Sequence, residues 1–105
     1  MPNPQVWFKV TLLFPLRDND GNPFPEEVWS WWLDAITKLV KALTDRGVVR
    51  GWWRRRWEPN REIFMIVKTQ REVNAIRAFL RRARRKFKQD VMYLEYRLVY
   101  FEEVK

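Results

Sequence analysis

The 105-residue sequence contains no cysteine, no histidine and only three glycines. Without cysteine there is no disulfide, no thiol nucleophile and no thiolate metal ligand. Without histidine the chain lacks the most common general base and the most common metal ligand. Three glycines are too few for a Gly-rich loop that cradles a phosphate. These absences argue against an enzyme, and we predict no catalytic residue, no metal site and no cofactor.

Long apolar runs and a leader segment are also missing. No apolar stretch approaches the roughly 18 residues that cross a membrane, and MPNPQVWFKV lacks the charged-then-apolar order of a signal peptide. We therefore expect a soluble, cytoplasmic protein with no membrane partner. Apolar residues make up 47% of the chain, so one domain over residues 1–105 can bury a core without disulfides.

Positive charge is in excess, with 21 Lys and Arg against 13 Asp and Glu and a net charge of +8. Such a balance favours association with polyanions, and a basic patch is the usual electrostatic footprint of nucleic-acid binding. Many small basic proteins are merely soluble, however. The placement of the charges along the chain is therefore the more informative feature.

Periodicity divides the first half of the chain into a strand, a loop and a helix. Residues 5–14 alternate as a strand, and residues 15–25 are dense in turn formers. A helix is predicted over residues 25–46, with Gly47 as its C-terminal cap. Trp31 falls outside its apolar stripe and is expected to be exposed. The stripe, which is expected to face the core, consists of Val28, Trp29, Trp32, Leu33, Ile36, Leu39, Val40 and Leu43.

Two extended runs, residues 48–57 and 62–68, predict a β-hairpin. They flank Glu58-Pro59-Asn60-Arg61, where proline followed by asparagine at the central positions suits a tight turn. This register places Trp53 and Trp57 on the same face of the hairpin. A slip of one residue would exchange the two faces.

The second half of the chain continues with a helix and a strand. Thr69-Gln70-Arg71-Glu72 matches the Ser/Thr-x-x-Glu capping box, and the helix that follows is predicted to end at Lys88. Residues 91–101 alternate as a closing strand. The order β-α-β-β-α-β predicts a ferredoxin-like α+β fold, in which two helices cover one face of a four-stranded antiparallel sheet of spatial order 4-1-3-2. The core face of the second helix is predicted to be Val73, Ile76, Phe79, Leu80, Ala83 and Phe87.

A dense cationic surface is predicted on the outer face of the second helix. Arg77, Arg81, Arg84 and Arg85 can lie along a phosphate backbone and release its counterions, and Arg55 of the hairpin is a candidate clamp for the same anion. A solvated helix face is the ordinary alternative, because arginine favours helices and complements the C-terminal end of the helix dipole. We predict that these five arginines bind nucleic acid or another polyanion.

The sheet face that the helices leave uncovered is expected to be aromatic. Trp7, Trp53, Trp57, Phe64 and Tyr93 are the predicted stacking or interface residues on this face. A monomer rarely leaves a large contiguous apolar patch in water, and Trp and Arg are enriched at interface hot spots. A homodimer that forms through this face is therefore predicted.

Three functions are consistent with these features. The main prediction is a small, non-enzymatic binding or assembly module that binds nucleic acid or another polyanion as a homo-oligomer. The first alternative is a protein-interaction module that dimerises through the sheet face and has no nucleic-acid role. The second is a carboxylate-dependent enzyme, assisted by Mg²⁺, that uses Glu62 and Glu95.

Three segments also carry a family resemblance: FKVTLLFPLRDNDGNPFP, REIFMIV and KQDVMYLEY. Together they resemble an uncharacterised group of short bacterial and phage proteins, in which a strand ends in a loop of the form pL.dndG.pfp. A helix, a hairpin and a terminal segment like gQeamyle follow. The resemblance covers most of the chain and implies a compact βαββαβ domain. It implies no activity, because none is established for the group.

Overall fold

Four strands and two helices make up the fold. The computed structural model describes residues 5–105. The elements are β1 (Gln5–Pro15), α1 (Glu26–Leu39), β2 (Thr44–Trp53), β3 (Arg56–Val67), α2 (Gln70–Lys86) and β4 (Tyr93–Phe101). The strands form one antiparallel sheet in the order β2-β3-β1-β4. The predicted ferredoxin-like fold and its spatial order 4-1-3-2 are confirmed.

The hydrophobic core lies between the sheet and the two helices. Phe14 is central to it, with its ring centroid 5.4 Å from Trp32, 6.3 Å from Phe79 and 5.6 Å from Phe87. Every residue predicted for the core face of α2 is buried. The strands contribute alternate residues, as a sheet covered on one side requires: Val10, Leu12, Phe14, Ile63, Met65 and Val67.

The second helix begins at the predicted capping box. The Thr69 hydroxyl oxygen accepts a hydrogen bond from the Glu72 backbone N–H at 3.2 Å, and the same hydroxyl donates to the Glu72 carboxylate at 3.3 Å. The helix ends at Lys86, slightly before the predicted Lys88, because Lys88 has a left-handed backbone with a φ of 51°. Local sequence signals are sufficient to define this helix.

The first helix is shorter than predicted, ending at Leu39 rather than at residue 46. Thr44 already pairs with Phe64 of β3. Gly47 is not a helix cap, since it lies in β2 beside a bulge, where its φ is +81°. Bulges commonly require a left-handed residue, which favours glycine. Pairing with β3 therefore overrides the helical periodicity of this segment.

Two side chains of α1 lie opposite to the prediction. Trp31 was expected to be exposed, but it is half-buried and stacks on Phe79 with ring centroids 5.6 Å apart. Leu33 was expected in the core, but 55% of it is exposed. Because α2 packs beside α1, the buried arc of α1 is turned towards α2 and away from Leu33.

The β2–β3 hairpin turns at Arg54 and Arg55 and not at residues 58–61. Trp53 pairs with Arg56 across this two-residue loop. Arg54 and Arg55 have φ values of 49° and 66°, the left-handed pair whose twist matches that of hairpin strands. The predicted turn, strand limits and register of the hairpin are therefore wrong.

Pro59 lies inside β3, opposite Arg50, although proline cannot donate a hydrogen bond to a sheet. The N and C=O of one strand residue point to the same side, and the Pro59 carbonyl accepts from the Leu16 N–H at 3.3 Å. Pairing between β1 and β3 stops at Pro15 and Asn60. No neighbouring strand therefore needs a backbone N–H donor at position 59. Pro59 and Asn60 lie in β3 where its pairing with β1 stops, and they do not form a turn.

Candidate functional site

A groove opens where the hairpin tip approaches the end of β1 and the segment between α2 and β4. Its volume is about 810 Å³, which is within the range of roughly 300–1,000 Å³ usual for small-molecule sites. The walls carry aromatic, amide and charged side chains together. We call this feature the hairpin groove, and its lining includes Trp52, Trp53, Arg54, Asn60, Gln89 and Tyr93.

Aromatic side chains supply the flat surfaces of the hairpin groove. Trp52 and Trp53 are 59% and 54% exposed, and Tyr93 is 47% exposed. The Trp52 ring meets Trp57 edge-to-face across the hairpin, with centroids 5.2 Å apart, which holds Trp52 in place. Exposed aromatic faces of this kind stack on planar heteroaromatic ligands.

Two amide side chains of the groove are held in place by backbone carbonyls. Asn60 Nδ2 donates to the Glu58 carbonyl at 3.2 Å, and Gln89 Nε2 donates to the Phe87 carbonyl at 2.9 Å. Each amide oxygen keeps its capacity to accept a hydrogen bond from a ligand. The groove can therefore recognise hydroxyl or amino groups.

Charged residues of both signs also line the groove. Arg56 Nε donates to Glu58 Oε1 at 3.0 Å, so these two charges neutralise each other. The Arg54 guanidinium lies over the Trp53 ring, 5.7 Å from its centroid. Across residues 5–105, neither Arg54 nor Asp90 forms an ion pair. The groove thus presents one uncompensated cation and one uncompensated anion.

A tyrosine and two carboxylates lie together beside the groove on the uncovered sheet face. Leu13 pairs with Glu62 on one side and with Tyr93 on the other. The Tyr93 hydroxyl donates to Glu95 Oε2 at 3.1 Å. This hydrogen bond is the largest cause of a raised Tyr93 pKa, and partial burial and the charges of Glu95 and Glu62 add to it. The phenol therefore remains a hydrogen-bond donor up to high pH.

The glutamates of the enzyme alternative, Glu62 and Glu95, are thus both near Tyr93. Within residues 5–105, no three side chains of the types Asp, Glu, His or Cys come together as a metal-binding group. What the arrangement offers is one phenol that lines the groove and two carboxylates beside that phenol, of which Glu62 lies 3.7 Å from the Arg46 guanidinium. Carboxylates in such a position can stabilise a cationic ligand or accept a proton.

The predicted stacking residues are only partly brought together. Trp53 and Tyr93 both line the hairpin groove. Trp57 pairs with Trp52, the neighbour of Trp53 in β2, and its side chain points to the same side of β3 as that of the buried Ile63. Trp57 is therefore on the opposite face of the hairpin from Trp53. The prediction that Trp53 and Trp57 share a face is wrong, since the turn occurs five residues earlier than expected and the two tryptophans lie on different strands.

The other aromatic residues of the uncovered sheet face are half-buried by the chain's own side chains. The Lys9 ammonium lies 4.6 Å from the centroid of Phe64. The Lys68 ammonium lies 4.9 Å from the centroid of Trp7, and Phe101 packs 4.6 Å from the same ring. The apolar patch that motivated the predicted homodimer is therefore smaller than the alternation alone indicates.

The predicted cationic residues lie in two places. Arg81, Arg84 and Arg85 are exposed on α2. Arg77 is half-buried, because its guanidinium donates to Asn74 at 2.7 Å and lies over the Tyr96 ring. Arg55 is in the hairpin loop and is not among the residues that line the groove.

Sequence reasoning missed the groove itself. Arg54, Asn60 and Gln89 received no role, because the turn was placed at residues 58–61 and the hairpin tip was therefore misassigned. The signal that could have located the tip is the symmetric placement of Trp52 and Trp57, which pair across the two-residue loop.

Comparison with protein-family models and with curated proteins finds no match. Among solved structures, the chain is similar to a phage SAM lyase in complex with S-methyl-5'-thioadenosine. The TM-score is 0.67 at 12% sequence identity, and the alignment covers 100% of this chain and 98% of that chain. At this identity the likeness establishes a shared small α+β fold.

This comparison contradicts the main functional prediction, a non-enzymatic module that binds nucleic acid. The similar protein is an enzyme holding a small nucleoside, and it agrees better with the enzyme alternative. The prediction failed because net charge describes the whole surface, whereas function depends on a site. In addition, an enzyme that lacks histidine and cysteine can still use carboxylates and phenols as acids and bases. As for a membrane, none of the helices within residues 5–105 is long and apolar enough to cross one.

Proposed function

We propose that the protein is an enzyme that cleaves an S-adenosyl sulfonium compound and releases S-methyl-5'-thioadenosine. The observation that carries this proposal is the whole-chain likeness to the phage SAM lyase, which was solved with that thioether bound. Fold alone does not specify an activity. The hairpin groove supports the proposal independently, because its chemistry suits such a ligand.

The groove suits an adenosine group in size and in composition. Its volume of about 810 Å³ accommodates a nucleoside with an attached chain. The purine would stack on Trp53 or on Tyr93, since aromatic faces bind bases by stacking. The ribose hydroxyls would donate to the amide oxygens of Asn60 and Gln89, which the backbone already orients.

The charge distribution suits a sulfonium. Aromatic faces and carboxylates both attract a cation; Asp90 lines the groove, and Glu62 and Glu95 lie beside Tyr93. These groups would bind the charged substrate and hold the sulfonium at the edge of the groove.

The bond that breaks follows from the product. S-methyl-5'-thioadenosine keeps the methyl and adenosyl groups, so the broken bond joins the sulfur to the amino-acid chain. The bonding electron pair stays on sulfur, which becomes a neutral thioether. The departing carbon chain then either loses a proton or gains a nucleophile. Asp90, which lines the groove, and Glu62 and Glu95, which lie beside Tyr93, are the carboxylates that can accept such a proton.

The direct test is to incubate the purified protein with SAM and to measure S-methyl-5'-thioadenosine by liquid chromatography and mass spectrometry. Release faster than in a protein-free sample is expected, because SAM also decays slowly on its own. Calorimetry should show binding of S-methyl-5'-thioadenosine. The absence of both product release and binding at millimolar ligand would refute the proposal.

Substitutions locate the activity. Glu62→Gln and Glu95→Gln remove one carboxylate each, and loss of the proton acceptor should reduce turnover by about 100-fold or more. Tyr93→Phe removes the hydrogen bond to Glu95 and should also reduce turnover. Tyr100→Phe is the matched control, because Tyr100 is on the same strand, is 81% exposed and is distant in register from the groove. Equal losses in Tyr93→Phe and Tyr100→Phe would count against this site.

Association and location remain predictions. If the protein forms a homodimer through the uncovered sheet face, where Phe64 and Ile66 lie, the wild type should sediment as a dimer and Phe64→Arg should sediment as a monomer. A wild-type protein that sediments as one copy at high concentration would contradict it. The cytoplasmic location is likewise a prediction, and fractionation of cells that express the protein tests it.

A further inference from the structure

The loop at the tip of the hairpin combines backbone strain with arginine. Arg54 and Arg55 both adopt a left-handed conformation, with φ values of 49° and 66°. Two-residue loops of this geometry favour Asn-Gly, because a Cβ is disfavoured at positive φ. Non-glycine residues in such conformations cluster at active sites and ligand clamps, where the surrounding structure holds them in place. The pair therefore directs attention to what its side chains contact.

The two arginines differ in one respect that matters for binding. Arg54 lines the hairpin groove, whereas Arg55 is not among its lining residues. The Arg54 guanidinium lies over the Trp53 ring and forms no ion pair with residues 5–105. The other arginine of the groove, Arg56, is neutralised by Glu58 at 3.0 Å. Arg54 is thus the uncompensated cation of the groove within the described part of the chain.

We propose that Arg54 binds the carboxylate of the amino-acid group of the substrate, so that the groove selects adenosyl compounds that carry this carboxylate. A guanidinium binds a carboxylate through two parallel hydrogen bonds, which is the strongest pairing the side chain can make. Because the Arg54 guanidinium already lies over Trp53, the purine would stack on Tyr93, the other exposed aromatic wall of the groove, and the hairpin loop and β4 would hold the two ends of the ligand. This inference rests on the proposed function.

The test compares two ligands that share the adenosine group. S-adenosylhomocysteine carries the amino-acid carboxylate but no sulfonium, so the proposed reaction does not consume it. S-methyl-5'-thioadenosine lacks the amino-acid group. Calorimetry with both ligands is done on the wild type, on Arg54→Asn and on Arg55→Asn. The two variants are matched, because each removes one positive charge from a left-handed position, where asparagine is well tolerated.

Arg54→Asn is expected to weaken binding of S-adenosylhomocysteine by about 10-fold or more, the usual effect of losing a charge-assisted hydrogen bond. Its affinity for S-methyl-5'-thioadenosine should stay within about two-fold of the wild type, which would show that the part of the groove that binds the adenosine group is intact. Arg55→Asn should match the wild type with both ligands.

Two results would overturn the inference and spare the proposed function. In the first, Arg54→Asn binds S-adenosylhomocysteine as tightly as the wild type does. In the second, both variants lose affinity equally, which indicates a long-range charge effect. Failure of the proposed function is distinguishable, because the wild type would then bind neither ligand and would release no S-methyl-5'-thioadenosine from SAM.

Discussion

The hairpin loop allows a prediction about stability in which one substitution should stabilise the fold and its neighbour should destabilise it. Arg55 has a φ of 66°. Within residues 5–105 its side chain takes part in no ion pair. Replacing Arg55 with glycine removes a Cβ from a conformation that disfavours it, and it removes one of three consecutive positive charges. We expect Arg55→Gly to raise the free energy of unfolding.

The magnitude follows from two opposing terms. A left-handed conformation costs a non-glycine residue about 1–2 kcal/mol, and glycine avoids this cost. Glycine also loses more conformational entropy on folding than other residues, at roughly 0.5–1 kcal/mol. At the middle of both ranges the net gain is about 0.75 kcal/mol. For a domain of this size, that corresponds to an increase in Tm of roughly 2–6 °C.

Arg56→Gly is the matched control. Arg56 is the first residue of β3 and has no positive φ, and it forms an ion pair with Glu58. Glycine in this strand should therefore lower the unfolding free energy by about 0.5–1 kcal/mol. Thermal melts followed by circular dichroism, with urea titrations for the free energy, measure both variants. A rise in Tm for both variants would show that the loss of a positive charge causes the effect. A lower Tm in Arg55→Gly than in the wild type would refute the backbone argument.

Three further predictions concern other parts of the fold. Gly47→Ala should lower the unfolding free energy by about 1 kcal/mol in urea titrations, because the φ of +81° at this position is unfavourable for a residue with a Cβ. No atom lies within 4 Å of an added Cβ, so no steric clash adds to this cost. The hydrogen bond from Arg61 is the main cause of a lowered Asp45 pKa. The Asp45 carboxylate therefore stabilises the fold above pH 3.8, the ordinary pKa of this side chain, and the stabilisation is lost as the pH falls below that value. In urea titrations at a series of acidic pH values, the unfolding midpoint of Asp45→Asn should therefore change less with pH than that of the wild type. The absorbance titration of Tyr93, taken as the difference from Tyr93→Phe, should have its midpoint above 10.0, and Glu95→Gln should lower that midpoint; an unchanged midpoint would contradict the role given to Glu95.

The second helix shows how much can be predicted from local sequence. Its start at Thr69 depends on a hydrogen bond between residues three apart, and its buried face follows the helical repeat. Both are properties of neighbouring residues, so the sequence alone predicts them correctly. The order of the strands follows similarly, because short connections and the alternation of strands with helices permit few topologies.

The hairpin shows where local reasoning fails. Pro59 and Asn60 are favoured turn residues, yet they lie in β3, because β1 ends at Pro15 and leaves no demand for a donor at position 59. The true loop at Arg54 and Arg55 has no turn signal of its own. Only the pairing of two strands selects it, since that pairing aligns nine residues of β2 with β3.

The candidate site divides in the same way. Composition and strand alternation predict Trp53 and Tyr93 as aromatic site residues and Glu62 and Glu95 as candidate carboxylates. Their assembly depends on the register between four strands, which brings Glu62 and Tyr93 to either side of Leu13. The net charge led to the wrong function, because a sum over the whole chain does not show which positively charged side chains form ion pairs.

The sequence by itself determined the element order, the fold class, the capping box of α2 and the residues that α2 buries, since these depend on propensity and periodicity over short distances. The tertiary structure alone decided where α1 ends, where the hairpin turns and on which face each tryptophan lies. A shift of one residue in strand register exchanges the two faces of a strand, and contacts between residues far apart in the chain set that register. The hairpin groove, and the uncompensated Arg54 within it, exist only as a result of those contacts.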